Sequence, residues 1–330
     1  MLNDPKKLLA RLALTSDKAT GAHYILDDQT RLALRMAWAT GRPLLIVGEP
    51  GCGKTQLAQA LACEWQVPLR KQVVNVHTKA EDLLYHFDAV GRLADAQVYG
   101  ALRKEAMDKN IDPLNAAHYL RPGPLWEAWN WQSAVDLLSQ RPPHRTQRPT
   151  EILPGWKPEQ GCVVLIDEID KAGIEVPEGL LEVLDTGSFD VPWTGTRVEP
   201  DASESKASNP LVLITSNGAR DLPAPFLRRC IVLPMTVPDT GLEAWLQERA
   251  RAHFSTDDCD DEVMLQAATL IAQERAQAQS DGRYIPGVAE YLDLVKAVVE
   301  LAKGDAKAQL ALMREMAPAV TTAKGKAVAT

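Results

Sequence analysis

The feature that most constrains the fold of this chain is an octapeptide at residues 48–55, Gly48-Glu49-Pro50-Gly51-Cys52-Gly53-Lys54-Thr55. It matches the pattern G-x-x-x-x-G-K-[ST] of loops that bind the phosphates of a nucleoside triphosphate. Glycines have no Cβ, so the backbone can curl and point successive N–H groups into one concavity. Lys54 supplies a positive charge for the β- and γ-phosphates, and the Thr55 hydroxyl is a ligand for Mg²⁺. We therefore predict a phosphate-binding loop.

The segments on either side of the loop support this prediction. Residues 43–47 form a short apolar run that is typical of a buried parallel strand. Residues 56–62 favour a helix with Leu57 and Leu61 on one face. A strand, a glycine loop and a helix in this order place phosphate at the helix N-terminus. The predicted nucleotide-binding residues are Gly48, Glu49, Pro50, Gly51, Cys52, Gly53, Lys54, Thr55 and Gln56.

A second motif follows at residues 162–170, where an apolar run ends in Asp167 and Glu168. The run predicts a buried strand that carries both acids to its carboxyl end, where open α/β sheets bind their ligands. There Asp167 would belong to the Mg²⁺ shell, and Glu168 would polarise a water for attack on the γ-phosphate. In the alternative interpretation, the acids only cap the next helix.

Two further strands end in asparagine. Residues 211–217 predict a buried strand with a polar tip at Asn217, which would hydrogen-bond the attacking water or the γ-phosphate, or else form a turn before Gly218. Residues 72–77 form a short β-branched segment that contains Asn75. Asn75 is either a partner of Glu168 or an edge residue with no such role, and the sequence leaves both open.

The domain organisation follows from length and pattern. With 330 residues the chain is long enough for two domains. Strands and helices alternate up to about residue 234, and only helical patterns follow. We therefore predict an α/β domain at 1–235, with a helical insert at about 86–120 and a Pro-rich insertion at about 132–160, and a helical domain at 236–330 with a disordered tail. The insertion holds a basic cluster, which is either a solvated loop or faces an acidic partner: Arg141, His144, Arg145 and Arg148.

Charge and cysteine content limit the class of protein. The net charge of −8 and the pI near 5.4 argue against nonspecific binding of nucleic acid, although they do not rule out a local basic channel. The five cysteines form no C-x-x-C pair, and their number is odd. We interpret them as reduced thiols of a cytoplasmic protein. The sequence contains no run of about 18 apolar residues, so no membrane span is predicted.

Together and in this order, the motifs resemble those of the AAA+ ATPases. The segment GEPGCGKT is similar to Walker A, VVLIDEID to Walker B, LITSN to the sensor 1 strand and FLRRC to the arginine-finger segment. The Gly-Arg-Pro entry to the first strand and the segment RPGPLW are most similar to the MoxR branch of the helix-2-insert group. The resemblance implies a five-stranded parallel sheet flanked by helices, followed by a small all-helical lid domain.

The resemblance also implies an activity and an assembly. The protein would hydrolyse ATP with Mg²⁺ in a homo-oligomeric ring, usually of six subunits. Asn217 would sense the γ-phosphate. Arg229, with Arg228 as second choice, would reach a neighbouring subunit's nucleotide from its position just before the strand at 231–233. Tyr85 and Phe87 are expected on a helix near the ring axis, where they either grip substrate or pack in the core.

MoxR relatives often act as chaperone-like remodellers beside proteins with a von Willebrand A domain, which the resemblance makes the expected partner. A DNA-acting motor or loader and a nucleotide-gated signalling or defence switch remain as alternatives. The sequence does not distinguish GTP from ATP as the nucleotide, because the loop binds phosphates and not the base. The chain departs from the MoxR pattern at the lid arginine known as sensor 2, which relatives usually place shortly after a proline. Here Gly287 and Val288 follow Pro286, and Arg283 lies nearby but not at the matching position.

Overall fold

The computed structural model describes residues 24–101, 112, 114–141, 153–200 and 210–320. Residues His144, Arg145 and Arg148 of the basic cluster and the predicted disordered tail at 321–330 lie outside the described residues.

The helices and strands are numbered in chain order. The α-helices are α1 (Asp28–Thr40), α2 (Lys54–Trp65), α3 (Ala80–Leu84), α4 (Ala89–Ala101), α5 (Pro124–Trp129), α6 (Trp131–Ser139), α7 (Glu175–Gly179), α8 (Leu181–Thr186), α9 (Ala224–Arg229), α10 (Leu242–His253), α11 (Asp261–Asp281), α12 (Val288–Leu301) and α13 (Ala306–Val320). The strands are β1 (Leu44–Gly48), β2 (Leu69–Val73), β3 (Tyr85–Phe87), β4 (Leu120–Pro122), β5 (Val163–Asp167), β6 (Phe189–Val191), β7 (Thr196–Val198), β8 (Leu211–Ser216) and β9 (Ile231–Met235).

The main sheet has five strands in the order β2-β5-β8-β1-β9. Its register places Val73 beside Asp167 in the parallel pair β2–β5, and Ile166 beside Ile214 in the parallel pair β5–β8. Every residue of β5 and β8 is buried, because both faces of these strands are covered and their sequences are almost wholly apolar. The prediction of a five-stranded parallel sheet flanked by helices is confirmed.

Two short antiparallel pairs of strands lie outside the main sheet: β3 with β4, which helix α4 separates in sequence, and the hairpin β6–β7. The expectation that Tyr85 and Phe87 lie on a helix is wrong, because α3 ends at Leu84 and both residues belong to β3. Tyr85 is buried and stacks on Phe189, with ring centroids 6.4 Å apart. Phe87 is half-buried and stacks on Trp193 at 3.8 Å. These aromatic pairs hold the strand pair β3–β4 against the hairpin β6–β7.

Contacts divide the chain into two compact units. Among the described residues, the first unit comprises 31–45 and 65–233, and the second comprises 24–30, 46–64 and 234–320. The second unit therefore contains the predicted phosphate-binding loop together with helices α10–α13. Its core includes Leu246, Met264, Ile271 and Tyr291. The second unit resumes at Pro234, while the predicted boundary between residues 235 and 236 stays a prediction.

The region after β9 is helical, as the resemblance implied for a lid. Helix α12 buries Leu294, Val295 and Val298 on one side, a spacing of three to four residues that matches the helical period. Among the described helices, none is both long enough and apolar enough to cross a membrane.

All five cysteines are free thiols, and four of them are buried. Burial raises the pKa of Cys162 and of Cys230 to about 12, and that of Cys259 to about 11. Burial also raises the pKa of Cys52. Cys63 alone among the five is half-buried.

This pattern predicts one fast-reacting thiol. The thiolate is the reactive form, so buried thiols with a raised pKa react slowly. With a thiol reagent at pH 8, the native protein should label at Cys63, and Cys63→Ser should remove the fast phase. The denatured protein, in which all five thiols react, is the control. Fast labelling of Cys162 in the native protein, mapped by mass spectrometry, would contradict the burial described here.

Candidate functional site

The predicted phosphate-binding loop has the backbone that its glycines imply. The φ angles are +77° at Gly51 and +99° at Gly53, in the region that residues with a Cβ rarely adopt. The loop leads directly into α2, which begins at Lys54, and the N–H of Leu57 donates to the carbonyl of Gly53 at 3.0 Å. The N-terminal turn of α2 therefore lies at the loop, and a helix N-terminus suits an anion.

The Lys54 amine is held inside this loop. Its Nζ donates to the carbonyl oxygens of Gly48 and Glu49, both at 2.7 Å, and lies 3.8 Å from Cys52 Sγ. Lys54 is buried. Its charge is therefore placed by the backbone of Gly48 and Glu49, so a displacement of either residue would move the amine.

A cavity borders the loop within the second unit. Its lining includes Tyr24, Met235, Arg249, Val288 and Leu292, together with Cys52 and Gly53 of the loop. Burial raises the pKa of Tyr24 and lowers the pKa of Arg249, whose guanidinium lies 3.4 Å from the ring centroid of Trp245. These residues belong to no motif, so no local sequence pattern indicates them.

The Walker B acids lie in the first unit, at the end of β5. Asp167 is buried, and its carboxylate accepts a hydrogen bond of 2.7 Å from Thr215 Oγ1. Lys71 Nζ lies 3.2 Å from the same carboxylate. Thr215 follows Ile214, which pairs with Ile166, so the parallel register sets the threonine beside the acid. The sequence analysis identified Asp167 but neither of these partners.

Glu168 has an unusual backbone for a residue with a side chain. Its φ of 63° and ψ of 48° are left-handed, a conformation that costs on the order of 1–2 kcal/mol for a non-glycine residue. The N–H of Glu168 donates to Thr215 Oγ1 at 2.8 Å, which fixes this conformation. Strained residues held in this way concentrate at functional sites.

The Glu168 carboxylate meets two partners. Asn217 Nδ2 donates to Oε1 at 3.2 Å, and Lys171 Nζ lies 2.6 Å from Oε2. The hydrogen bond to Glu168 raises the pKa of Lys171. The structure thus brings Asp167, Glu168 and Asn217 into one cluster, with Thr215 between the two acids.

Asp170 and Asn75 have local structural contacts. Asp170 is buried, and its carboxylate accepts from the N–H groups of Asn217 and Ala219, which fixes the loop after β8. Asn75 Oδ1 accepts from the N–H of His77 at 2.8 Å. The hydrogen bonds described for Asn75 are confined to this turn and do not include Glu168.

The arginine pair lies in the last turn of α9, and only Cys230 separates it from the start of β9. Arg229 Nε donates to Asp185 at 2.5 Å, and its Nη1 donates to the carbonyl of Pro225 at 3.2 Å. Arg228 is exposed. Arg42 donates to the carbonyls of both arginines and so caps the helix, a role that the sequence did not indicate.

The helical region supplies a different arginine from the one considered in the sequence. Arg283 forms a local pair with Asp281, at 3.0 Å. Arg275 of α11 is buried and donates to the carboxylate of Glu49, in the phosphate-binding loop, at 2.6 Å. No sequence pattern indicated this contact, because 226 positions separate the two residues.

The predicted magnesium ligands, Thr55 and Asp167, carry oxygen donors. Among the described residues, no group of three or more His, Cys, Asp or Glu side chains could hold a metal ion. Mg²⁺ is usually bound by one or two protein oxygens together with substrate phosphates and water. The Thr55 hydroxyl and the Asp167 carboxylate are oxygen donors of that kind.

The comparisons with known proteins identify the family. A model of the AAA domain (dynein-related subfamily) matches residues 43–230, more than half of the chain. No curated protein sequence matches the chain.

Among solved structures, a mutant of RuvB from Thermotoga maritima is 17% identical, with a TM-score of 0.44 over 87% of this chain and 68% of that chain. The Thermotoga maritima RuvB Holliday junction branch migration motor is 19% identical, with a TM-score of 0.40 over 86% of this chain and 66% of that chain. The chain therefore spans about two thirds of the length of these structures. Matches at this TM-score say nothing of the substrate of this chain.

The chain belongs to the AAA domain family, dynein-related subfamily. It is an AAA+ ATPase, an enzyme that hydrolyses ATP. Proteins of this class bind nucleotide, typically with Mg²⁺, and generally assemble into rings.

The two hydrogen bonds of Thr215 generate a prediction. Thr215→Val keeps the shape of the side chain and removes both bonds, so Glu168 loses its tether. Because a misplacement of about 1 Å can cost on the order of 10²-fold in rate, we expect a drop in kcat of this order with an unchanged Kd for ATP. Stability should fall by about 1–3 kcal/mol, since buried polar groups lose their partners.

ATPase assays, nucleotide titrations and thermal melts measure these three quantities. Thr269→Val removes a half-buried threonine whose hydroxyl donates to the carbonyl of Leu265 within α11, and it serves as the matched control. Normal kcat in Thr215→Val would show that the tether does not position Glu168.

Proposed function

We propose that this protein is a MoxR-like AAA+ ATPase that hydrolyses ATP in a homo-oligomeric ring of six subunits to remodel or activate a partner protein. The observation that carries the proposal is the cluster at the end of β5. There Glu168 is held by its backbone to Thr215 and by its carboxylate to Asn217. An intact, positioned acid of this kind suits turnover and disfavours a switch that only binds nucleotide.

The phosphate-binding loop supplies the binding half of the proposed site. Lys54 would contact the β- and γ-phosphates, and the loop N–H groups would surround them. Thr55 and Asp167 would hold Mg²⁺, which supplies charge neutralisation at the phosphates when bound. The cavity beside Cys52 and Gly53, which both polar and apolar side chains line, would take the base.

The acids supply the chemistry. Glu168 would accept a proton from the attacking water as it approaches the γ-phosphate, a role for which a carboxylate with a hydrogen-bonded orientation is suited. Asn217 would hold both the carboxylate and the water in line. Lys171 lies against the same carboxylate and would have to release it before the acid acts as a base.

Arg229 would complete the site of a neighbouring subunit. Its side chain is about one-third exposed, and its pair with Asp185 lies at the surface. Exposed pairs contribute only about 0–1 kcal/mol, so exchanging Asp185 for a neighbour's phosphate would cost little. Arg228, exposed in the same helix turn, is the second candidate for this role.

Features outside the main sheet support work on a partner. The strand pair β3–β4 and the hairpin β6–β7 bring Phe87 and the exposed Trp193 together. Aromatic side chains at a surface are typical of contact sites for proteins. We propose a cytoplasmic protein substrate, with a von Willebrand A domain protein as the partner that the MoxR resemblance favours.

Two variants separate binding from hydrolysis. Glu168→Gln keeps shape and removes the base, so it should bind ATP with Mg²⁺ but lose on the order of 10²–10⁴-fold in kcat. Lys54→Ala should lose ATP binding while its thermal melt stays near that of the wild type. Calorimetry with ATP and with GTP, and an ATPase assay, provide the measurements. Near-normal turnover in Glu168→Gln would refute the assigned base.

The Glu168→Gln protein also tests the partner class. Loaded with ATP, it should retain its protein partner for identification from native lysate. If DNA instead stimulates wild-type turnover in a salt-sensitive way, the protein is a DNA-acting motor. Less than one turnover per ring would support a nucleotide-gated switch.

The role of Arg229 in a ring predicts complementation. Arg229→Ala should abolish turnover and keep ATP binding, since an arginine finger contributes about 10³–10⁵-fold in rate. Mixing it with Lys54→Ala protein should restore part of the activity, because some interfaces then contain both intact residues. Arg251→Ala, which breaks an exposed pair with Asp261, is the control and should retain normal turnover. If mixed rings form and remain inactive, the role across subunits is wrong.

A further inference from the structure

The helical part of the second unit contacts the phosphate-binding loop through an ion pair between a buried arginine and a half-exposed glutamate. Arg275 Nη2 donates to Glu49 Oε2 at 2.6 Å, and Arg275 Nη1 donates to the carbonyl of Pro286 at 3.2 Å. The arginine side chain is 7% exposed, and that of Glu49 is 48% exposed. The guanidinium therefore joins the second residue of the loop to the segment that precedes α12.

The surrounding backbone is closely packed. A Cβ placed on Gly51 would lie 3.2 Å from the Cβ of Ala289, and a Cβ on Gly287 would lie 3.7 Å from the carbonyl oxygen of Pro50. Glu290 closes the first turn of α12 by accepting from the N–H of Gly287 at 2.9 Å. The loop at Glu49–Gly51 thus rests against the first turn of α12, and Arg275 bonds to both sides.

Glu49 affects phosphate binding by the loop through its charge and through its backbone. Its carbonyl is one of the two main-chain oxygens that hold Lys54 Nζ. Its carboxylate is a negative charge on a loop that receives a polyanion, and like charges close together are unfavourable. Arg275 neutralises this carboxylate and fixes its orientation through their hydrogen bond.

We propose that Arg275 is a positioning residue for nucleotide binding, which orients and neutralises Glu49 so that the phosphate-binding loop accepts a nucleoside triphosphate. The inference rests on the proposed function, since it assumes that the loop binds nucleotide. It assigns to α11 a role in phosphate affinity that acts through Glu49.

The proposal makes a specific prediction for Arg275→Met. The Kd for a non-hydrolysable ATP analogue should rise about tenfold, within the usual range of coupling between neighbouring sites. The Kd for ADP should rise less, because ADP carries less negative charge. High salt should reduce the defect, since salt screens the repulsion from Glu49. In steady-state assays, KM for ATP should rise while kcat stays within about twofold of the wild type.

A double-mutant cycle separates this role from a merely structural one. Glu49→Gln removes the negative charge and still accepts a hydrogen bond, so it should bind the analogue at least as tightly as the wild type. In the Glu49→Gln background, Arg275→Met should then cost less than about threefold. A structural role of Arg275 predicts the same loss in both backgrounds, and that result would overturn the proposal.

Two further variants keep the experiment decisive. Arg275→Lys keeps the charge and should hold the Kd within about threefold of the wild type, even if Arg275→Met fails to fold. Weak binding in Arg275→Lys, or in Glu49→Gln alone, would overturn the proposal. Arg251→Met, an exposed arginine of α10, is the matched control. Failure of the wild type to bind any nucleotide would instead refute the proposed function, so the two failures are distinguishable.

Discussion

The hydroxyl group of Thr215 is the interaction on which the acidic half of the site depends. It accepts from the N–H of Glu168 and donates to the carboxylate of Asp167, so one side chain of β8 fixes the last residue of β5 and the residue directly after it. This geometry requires that β5 and β8 be parallel neighbours in the observed register. The sheet therefore does more than carry the acids to its edge, because the pairing of its central strands also fixes the backbone conformation of Glu168.

The sequence predicted the parts of this arrangement that are local. The glycine loop, the two apolar strands and the polar residues at their ends each carry a pattern within a few neighbouring positions, so Lys54, Asp167, Glu168 and Asn217 were all identified. Pattern reasoning did not predict that Glu168 is left-handed, because that conformation is imposed by Thr215 from another strand. It also placed β3 on a helix, because three residues are too few to show a period of two.

Long-range arginine contacts are the part that no local pattern could reveal. Arg42 caps α9 across 187 positions, and Arg275 reaches Glu49 across 226. The partners in these contacts are carbonyl oxygens or a single carboxylate, groups that occur throughout any sequence. Only the fold selects among them. Arg283 is nearer to Pro286 in the sequence, yet Arg275 is the arginine that contacts the loop.

The charged groups of the site differ in how easily they exchange partners, and this difference bears on how the enzyme cycles. Lys171 with Glu168, and Arg229 with Asp185, are partly exposed pairs. Water can solvate their separated charges, so a pair of this kind opens at little cost. Arg275 is nearly fully buried, and a buried arginine that loses its carboxylate leaves an uncompensated charge. We therefore expect the exposed pairs to open and close as nucleotide binds and is hydrolysed, while the pair of Arg275 with Glu49 persists and keeps the loop in register with α12.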